Sequence, residues 1–332
     1  RPMKDYVVAN LEMAAPYMAK RPNWFNYFVK LKPTELAVKK TLGLVDLPLL
    51  SAPNLQTQLV EIGYTGRSLE QLEGLSAAEK QNVLFIVQDP YTSYYDANVV
   101  RDFVQLAQKL GFEPIVLPFK PNGKAMHIKG FLKRFSQTAK HQAEFLTRVA
   151  QLGCPLVGVD PAIVLSYRDE YKAVLGKTRG DFHVLTAHEW LFTQLNADEL
   201  QARVKNFVKN DRTFKWYLFP HCTETTAMPN SGKEWQRIFA FFGQDLTVEH
   251  VSCCGMAGVF GHERQNQAMS REIYDLSWKV KLDGKDPNYC LATGYSCRSQ
   301  VKRYEKYRLK HPVQALLELF DDLEKKSHDS AA

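Results

Sequence analysis

The stretch VLFIVQDPYTSYYDANVVRDFVQLAQKLGFEPIVL, residues 83–117, decides the fold. Its first five residues, Val83 to Val87, form an unbroken apolar run, the pattern of a strand buried on both faces. Apolar residues then recur at helical spacing over 98–110, and Gly111 stands where helices commonly stop. The run at 112–117 reads as the next strand. A helix over 139–152 and a strand over 155–159 continue the alternation, which argues for a parallel α/β sheet.

The same order recurs downstream. Strands are expected at 216–219, 246–251 and 289–292, and helices at 232–242 and 265–280. Aligning Asp89, just past the first strand, with Cys222 puts Lys120 on Cys253 and Pro121 on Cys254, and brings 160–162 opposite 295–297. Such self-similarity marks an internal duplication. The expected fold is α/β, with two tandem, similar, parallel-sheet (Rossmann-like) halves. Their site loops follow the carboxyl ends of strands, where open α/β sheets bind ligands. A helical lead-in and linker, 1–81, precedes a first half at 82–185 and a second at 186–325. Helix-like pieces of the lead-in lie at 5–20 and 34–44, between prolines. Ser76 with Glu79 fits a capping box, and Thr186 to Glu189 fits a cap for a helix over 188–195.

With 332 residues, 45% of them hydrophobic, the chain is long enough to bury a sizeable core. Only 325–332 is expected to lack order. The net charge of +7 is a mild basic excess, not a nucleic-acid footprint. The cationic run Lys302, Arg303, Lys306, Arg308 and Lys310 reads as the solvated face of a helix. No apolar run reaches the ~18 residues of a membrane-spanning helix. The chain starts Arg1-Pro2 with no signal-peptide pattern, and it is expected to be a piece of a longer polypeptide. The expected location is cytoplasmic, free or peripheral at the inner membrane.

Six cysteines are present, and in a cytosolic chain clustered cysteines bind metal or do redox chemistry more often than they form disulfides. Cys222, Cys253, Cys254 and Cys297 all fall in the predicted loops of the second half, and the first half has none at those places. Four soft thiolates suit a [4Fe–4S] cluster or a tetrahedral zinc ion. Gly255 and Gly258 let backbone amides approach such a centre. Adjacent cysteines on a regular strand point to opposite faces, so Cys253 and Cys254 serve one centre only if the backbone turns between them. If one is not a ligand, His221 or His262 is the candidate to complete the set. Cys154 and Cys290, at strand starts, read as small buried hydrophobes. No Cys-x-x-Cys motif is present, which ranks thiol redox chemistry below metal binding.

At Cys222, at Cys253-Cys-Gly255 and at Gly294-Tyr-Ser-Cys297-Arg298 the sequence resembles the cysteine-rich CCG domain. That family includes the B subunit of heterodisulfide reductase and the iron–sulfur subunits of glycolate oxidase and anaerobic glycerol-3-phosphate dehydrogenase. The resemblance covers about residues 82–320. The segments His221-Cys222, 253–258 and 292–298, followed by His311-Pro312, are most similar to the C-terminal part of bacterial FAD-linked dehydrogenases of the D-2-hydroxyglutarate or D-lactate type. The family pattern has a further cysteine at the place of Gly294. The resemblance implies an electron-relay module whose FAD and ferredoxin-like domains lie upstream in the same polypeptide. It also implies an electron acceptor as partner. No Gly-x-Gly-x-x-Gly is present, so this chain alone is expected neither to bind FAD nor to catalyse dehydrogenation. Arg298 and His262, at loop ends, are expected to face the substrate of such an enzyme. Zinc in place of the cluster would make the same module a structural staple.

Overall fold

The computed structural model describes residues 1–205 and 213–329. It is an α/β protein with two parallel sheets. The first holds β1 (Val83–Val87), β2 (Glu113–Val116), β3 (Leu156–Gly158) and β4 (Val184–Thr186), in the order β2-β1-β3-β4. The second holds β5 (Lys215–Phe219), β6 (Asp245–Val248) and β7 (Cys290–Ala292), in the order β6-β5-β7. In each sheet the first strand is flanked by the next two, so its carboxyl end faces a cleft between crossover connections.

Every residue of β1 is buried. Alternation sends Leu84 and Ile86 into one cluster and Val83, Phe85 and Val87 into another. The first cluster also contains Leu218 of β5 and Leu291 of β7, so the two sheets share one core. Its centre is the helix Ala97–Lys109 packed on the C-terminal helix Pro312–Asp329. Order therefore continues to Asp329, four residues past the expected onset of disorder at 325. The expected division at 185/186 falls inside β4, which pairs with β3. Cys154 lies in the second cluster, and Cys290 in a third with Phe219, Trp278, Cys254 and Cys297. Burial pushes the Cys290 thiol up to about 12.

The lead-in differs from its sequence reading. The single helix expected over 5–20 is two, α1 (Met3–Ala9) and α2 (Leu11–Met18), followed by α3 (Pro22–Lys30) and α4 (Lys32–Thr41). The break at Asn10 sets α2 so that Glu12, 2% exposed, enters the loop after β2. There its carboxylate accepts from the amides of Asn122 (3.1 Å), Gly123 (2.8 Å) and Ala125 (3.0 Å). Successive amides around a residue with positive φ make an anion-binding nest, and Gly123 has φ +81°. Desolvation on burial still raises the carboxyl pKa, with the three amides opposing it. Glu12→Ala leaves those amides unpaired and should cost roughly 3 kcal/mol. It should also undock α1–α4, read as faster limited proteolysis within residues 1–48. Cleavage no faster than in the parent chain would show that the carboxylate does not hold the lead-in.

Ser76 and Glu79 make the reciprocal capping bonds, but the segment stays a turn, with no helix to cap. Thr186 and Glu189 do cap a helix, Ala187–Gln194. The cationic run is less solvated than expected: Arg303 pairs with Asp46 and Arg308 with Asp96.

Candidate metal centre

Three strand ends converge on the cysteines. After β5, His221 caps the short helix Cys222–Ala227. After β6, the loop carries Cys253-Cys254-Gly255. After β7, Gly294 caps the helix Tyr295–Glu305, which contributes Cys297. The third cap, Asp160, belongs to the first sheet, and its carboxylate accepts from the Tyr295 amide (2.8 Å). The two halves thus meet at the base of this helix.

The four sulfurs are neighbours: Cys222 and Cys254 each lie beside Cys253, Cys254 lies beside Cys297, and Cys222 feels the charge of Cys297. Both adjacent cysteines reach the same place, and the backbone turns just after them, at Gly255, φ +82°. A β-carbon there would overlap the carbonyl oxygen of Ser270, so only glycine fits. The Gly255 amide donates to Cys253 Sγ at 3.4 Å, while the Thr223 amide goes to His221 Nδ1 at 3.2 Å. The two neighbouring thiols, assisted by the Gly255 amide, hold Cys253 far below the ordinary thiol range. Donation to Cys253 and then burial push Cys222 up. Cys254 and Cys297 are buried, and Cys222 and Cys253 are partly open.

The helix expected over 265–280 explains how the loop is held. It is α-helical only over Gln267–Tyr274 and then widens into a π turn, Asp275–Lys279. That turn aims Ser277 and Trp278 at Ser252, with bonds of 2.9 and 3.0 Å to its amide and carbonyl. Gln300 Nε2 donates to the Cys254 carbonyl at 2.9 Å. Single-turn π bulges commonly occur at functional sites.

The histidines differ in role. Both ring nitrogens of His221 meet hydroxyls, Thr223 at 2.7 Å and Ser296 at 3.2 Å. Its ring fills the space that any side chain at Gly294 would need. A cysteine at that place, as in the resembled pattern, would displace His221. His262 faces the lead-in, with Nδ1 3.1 Å from the Val45 carbonyl oxygen. Arg298, expected to face substrate, is 0% exposed. Its guanidinium grips Asp96 (2.9 and 3.0 Å) and the carbonyls of Ala292 and Thr293. It is a tie between the halves, joining Asp96 of the first to the end of β7 in the second, and it does not line the chamber.

Three groups escaped the sequence reading. Glu12 has no local signal in an otherwise apolar helix. Asp160 and Asp89 appeared only as loop positions. They are 4% and 3% exposed and lie close enough to repel. Burial, and then the Asp160 carboxylate, push Asp89 up to about 7. An unfolded aspartate titrates near ~4. The folded chain thus keeps a proton that the unfolded chain loses, so this stabilisation is complete below about pH 4 and is lost as pH rises to about 7. Asp89→Asn keeps an oxygen for the Tyr91 and Thr92 amides. Urea unfolding should show the variant gaining on the parent chain across that window. A difference constant with pH would place the proton elsewhere.

A chamber of about 860 Å³ opens beside Cys222 and Cys253, roofed by the lead-in. Among the described residues no group of three or more His, Cys, Asp or Glu side chains is arranged around one metal ion.

The chain is 74% identical to D-2-hydroxyglutarate dehydrogenase of Haemophilus influenzae, over 96% of its own length and 31% of that protein's. It is 53% identical to the Escherichia coli protein of the same name, again over 96% and 31%. The chain is similar to D-2-hydroxyglutarate dehydrogenases. It spans about a third of their length. More distantly, it is 22% identical to a subunit of the anaerobic glycerol-3-phosphate dehydrogenase of Escherichia coli, over 87% of this chain and 72% of that one. No family model and no solved structure matches.

Proposed function

We propose that this chain is the cysteine-rich, CCG-type C-terminal module of an FAD-dependent 2-hydroxyacid dehydrogenase, and that Cys222, Cys253, Cys254 and Cys297 hold a [4Fe–4S] cluster. The observation that carries the reading is the gathering of these sulfurs where three strand ends converge, with the Gly255 amide donating to Cys253. The donor set fits. All four atoms are soft sulfurs, and amide hydrogen bonds stabilise thiolate charge and tune potential. A zinc ion draws its sulfurs to about 2.3 Å from one point, which leaves them nearly in contact with one another. A four-iron cluster takes them at the corners of a larger body, so the thiols must spread to receive it. Metal content decides between the two.

When bound, the cluster supplies one-electron transfer. The chain's own residues do the rest. Cys254 and Cys297 are shielded from water by Phe219, Met256 and Trp278, and the open side at Cys222 and Cys253 faces the chamber. Electrons from a 2-hydroxyacid would arrive from FAD and ferredoxin-like domains upstream in the same polypeptide, and leave to an acceptor. D-2-hydroxyglutarate is the favoured substrate, by the names of the relatives.

The second half is read as a duplicate of the first in Rossmann-like form. Cap on cap, Asp89 matches His221 and Asp160 matches Gly294, and the positive-φ glycines match as Gly123 on Gly255. Each pairing sits one residue away from the alignment expected from sequence. The nest that faces Cys253 in the second half is plugged by Glu12 in the first.

The test is iron, sulfide and zinc content of anaerobically prepared protein, with visible spectra before and after dithionite. About four irons and four sulfides per chain, with a band that bleaches, is the expected result. One zinc without colour would make the module a structural staple. Neither metal after reconstitution would overturn the site.

A further inference from the structure

The chamber beside the cysteines is large, and its walls differ in chemistry. Its roof is apolar: Val7, Leu11, Met18, Phe25, Val38 and Leu42 all line it. Its polar lining includes Lys124, Asp160 and His221, which come close enough to feel one another's charge. There Tyr91 and Tyr295 stack with centroids 5.6 Å apart and planes 14° from parallel, and both line the chamber with Cys222 and Cys253. The volume of about 860 Å³ lies within the range of small-molecule sites.

These walls select their occupant. A hydroxyacid dianion is excluded, because the nearest cation, Lys124, is already paired with Glu170 and the roof would strip the carboxylates of water. A plain acyl chain would leave the polar lining unmatched. An amphipathic ring with carbonyl oxygens and an apolar tail matches both.

We infer that the chamber is a binding site for a lipophilic quinone, with its ring among Tyr91, Tyr295, Lys124 and His221 beside Cys222 and Cys253, and its tail under α1–α4. The site deepens the relay reading above and rests on it for its redox role. The quinone takes up two electrons and two protons to become the quinol. Oxidation of the hydroxyacid C–OH to C=O releases the same number, so the overall exchange balances. The roof is anchored by the buried Glu12 carboxylate and by ion pairs: Lys129 bridges Asp5 (3.1 Å) and Glu263 (2.5 Å), and Lys4 reaches Glu263 (2.7 Å).

The experiment is equilibrium binding of decylubiquinone to the full chain, with and without reconstituted metal, beside decylbenzene as a probe with the tail but no carbonyl oxygens. Saturable binding of decylubiquinone alone is expected. Ala14, half-buried in the roof, points to a filling variant. Ala14→Trp should weaken binding at least about tenfold, with circular dichroism unchanged. Tyr91→Phe removes one hydroxyl and should weaken it about fivefold. No saturable binding by the folded chain, equal binding of decylbenzene, or full affinity in Ala14→Trp would each overturn the proposal. Metal content is measured separately. Binding without a cluster would keep this site while overturning the relay, and a cluster without binding would do the reverse.

Discussion

Asp96→Ala should destabilise the chain by about 3–5 kcal/mol, the cost of leaving a buried charge without its partner. Asp96 is 0% exposed, and its Oδ2 accepts from Arg298 at 2.9 and 3.0 Å and from Arg308 at 2.6 Å. Arg308 is partly exposed and can turn to water, but Arg298 is enclosed and cannot. A stability of about 5–15 kcal/mol is typical of a domain, so this loss is a large share. Asp96 stands at the start of the helix Ala97–Lys109 in the first half, and Arg298 follows Cys297 in the second. The variant should therefore also lose metal, because the residue next to a ligand loses its anchor. Urea unfolding and iron content check the two effects. A loss under about 1 kcal/mol with full metal would show that the Ala292 and Thr293 carbonyls suffice to hold the guanidinium.

Gly255→Ala should abolish or strongly reduce metal binding. Left-handed backbone costs a residue with a side chain about 1–3 kcal/mol. The new methyl would also overlap the Ser270 carbonyl oxygen, which belongs to a helix and cannot step aside cheaply. Relief requires the loop to move, and the loop is what places Cys253 and Cys254. Gly258→Ala is the control. It too has a positive φ, +69°, but its β-carbon would meet only the end of the Ile128 side chain, at 3.1 Å. It should cost backbone strain while keeping most of the metal. Equal metal loss in both variants would mean that general loop strain, not the position of the cysteine pair, governs the site.

Much of the fold was legible in the sequence, for a physical reason. A strand buried on both faces must be apolar throughout, so Val83–Val87 was readable to the residue. Helix caps are contacts over three residues, so Thr186 and Glu189 announced their helix. Ser76 and Glu79 made the same bonds without one, because a cap stabilises a helix that packing must complete. Strand β4 was missed because its apolar stretch is only Val184-Leu185 and runs straight into the helix cap at Thr186.

By itself the sequence determined that the chain alternates strand and helix, that cysteines follow three strand ends in the second half, and that a glycine stands beside the pair. Those features are local, and covalent order alone records them. Only the tertiary structure decided that Arg298 turns from the site into Asp96, 202 residues away, that Glu12 plugs a nest 110 residues away, and that a chamber opens between the lead-in and the sulfurs. Partners so distant in sequence leave no periodicity. A buried arginine and a solvated one read alike until the surface that covers them is built.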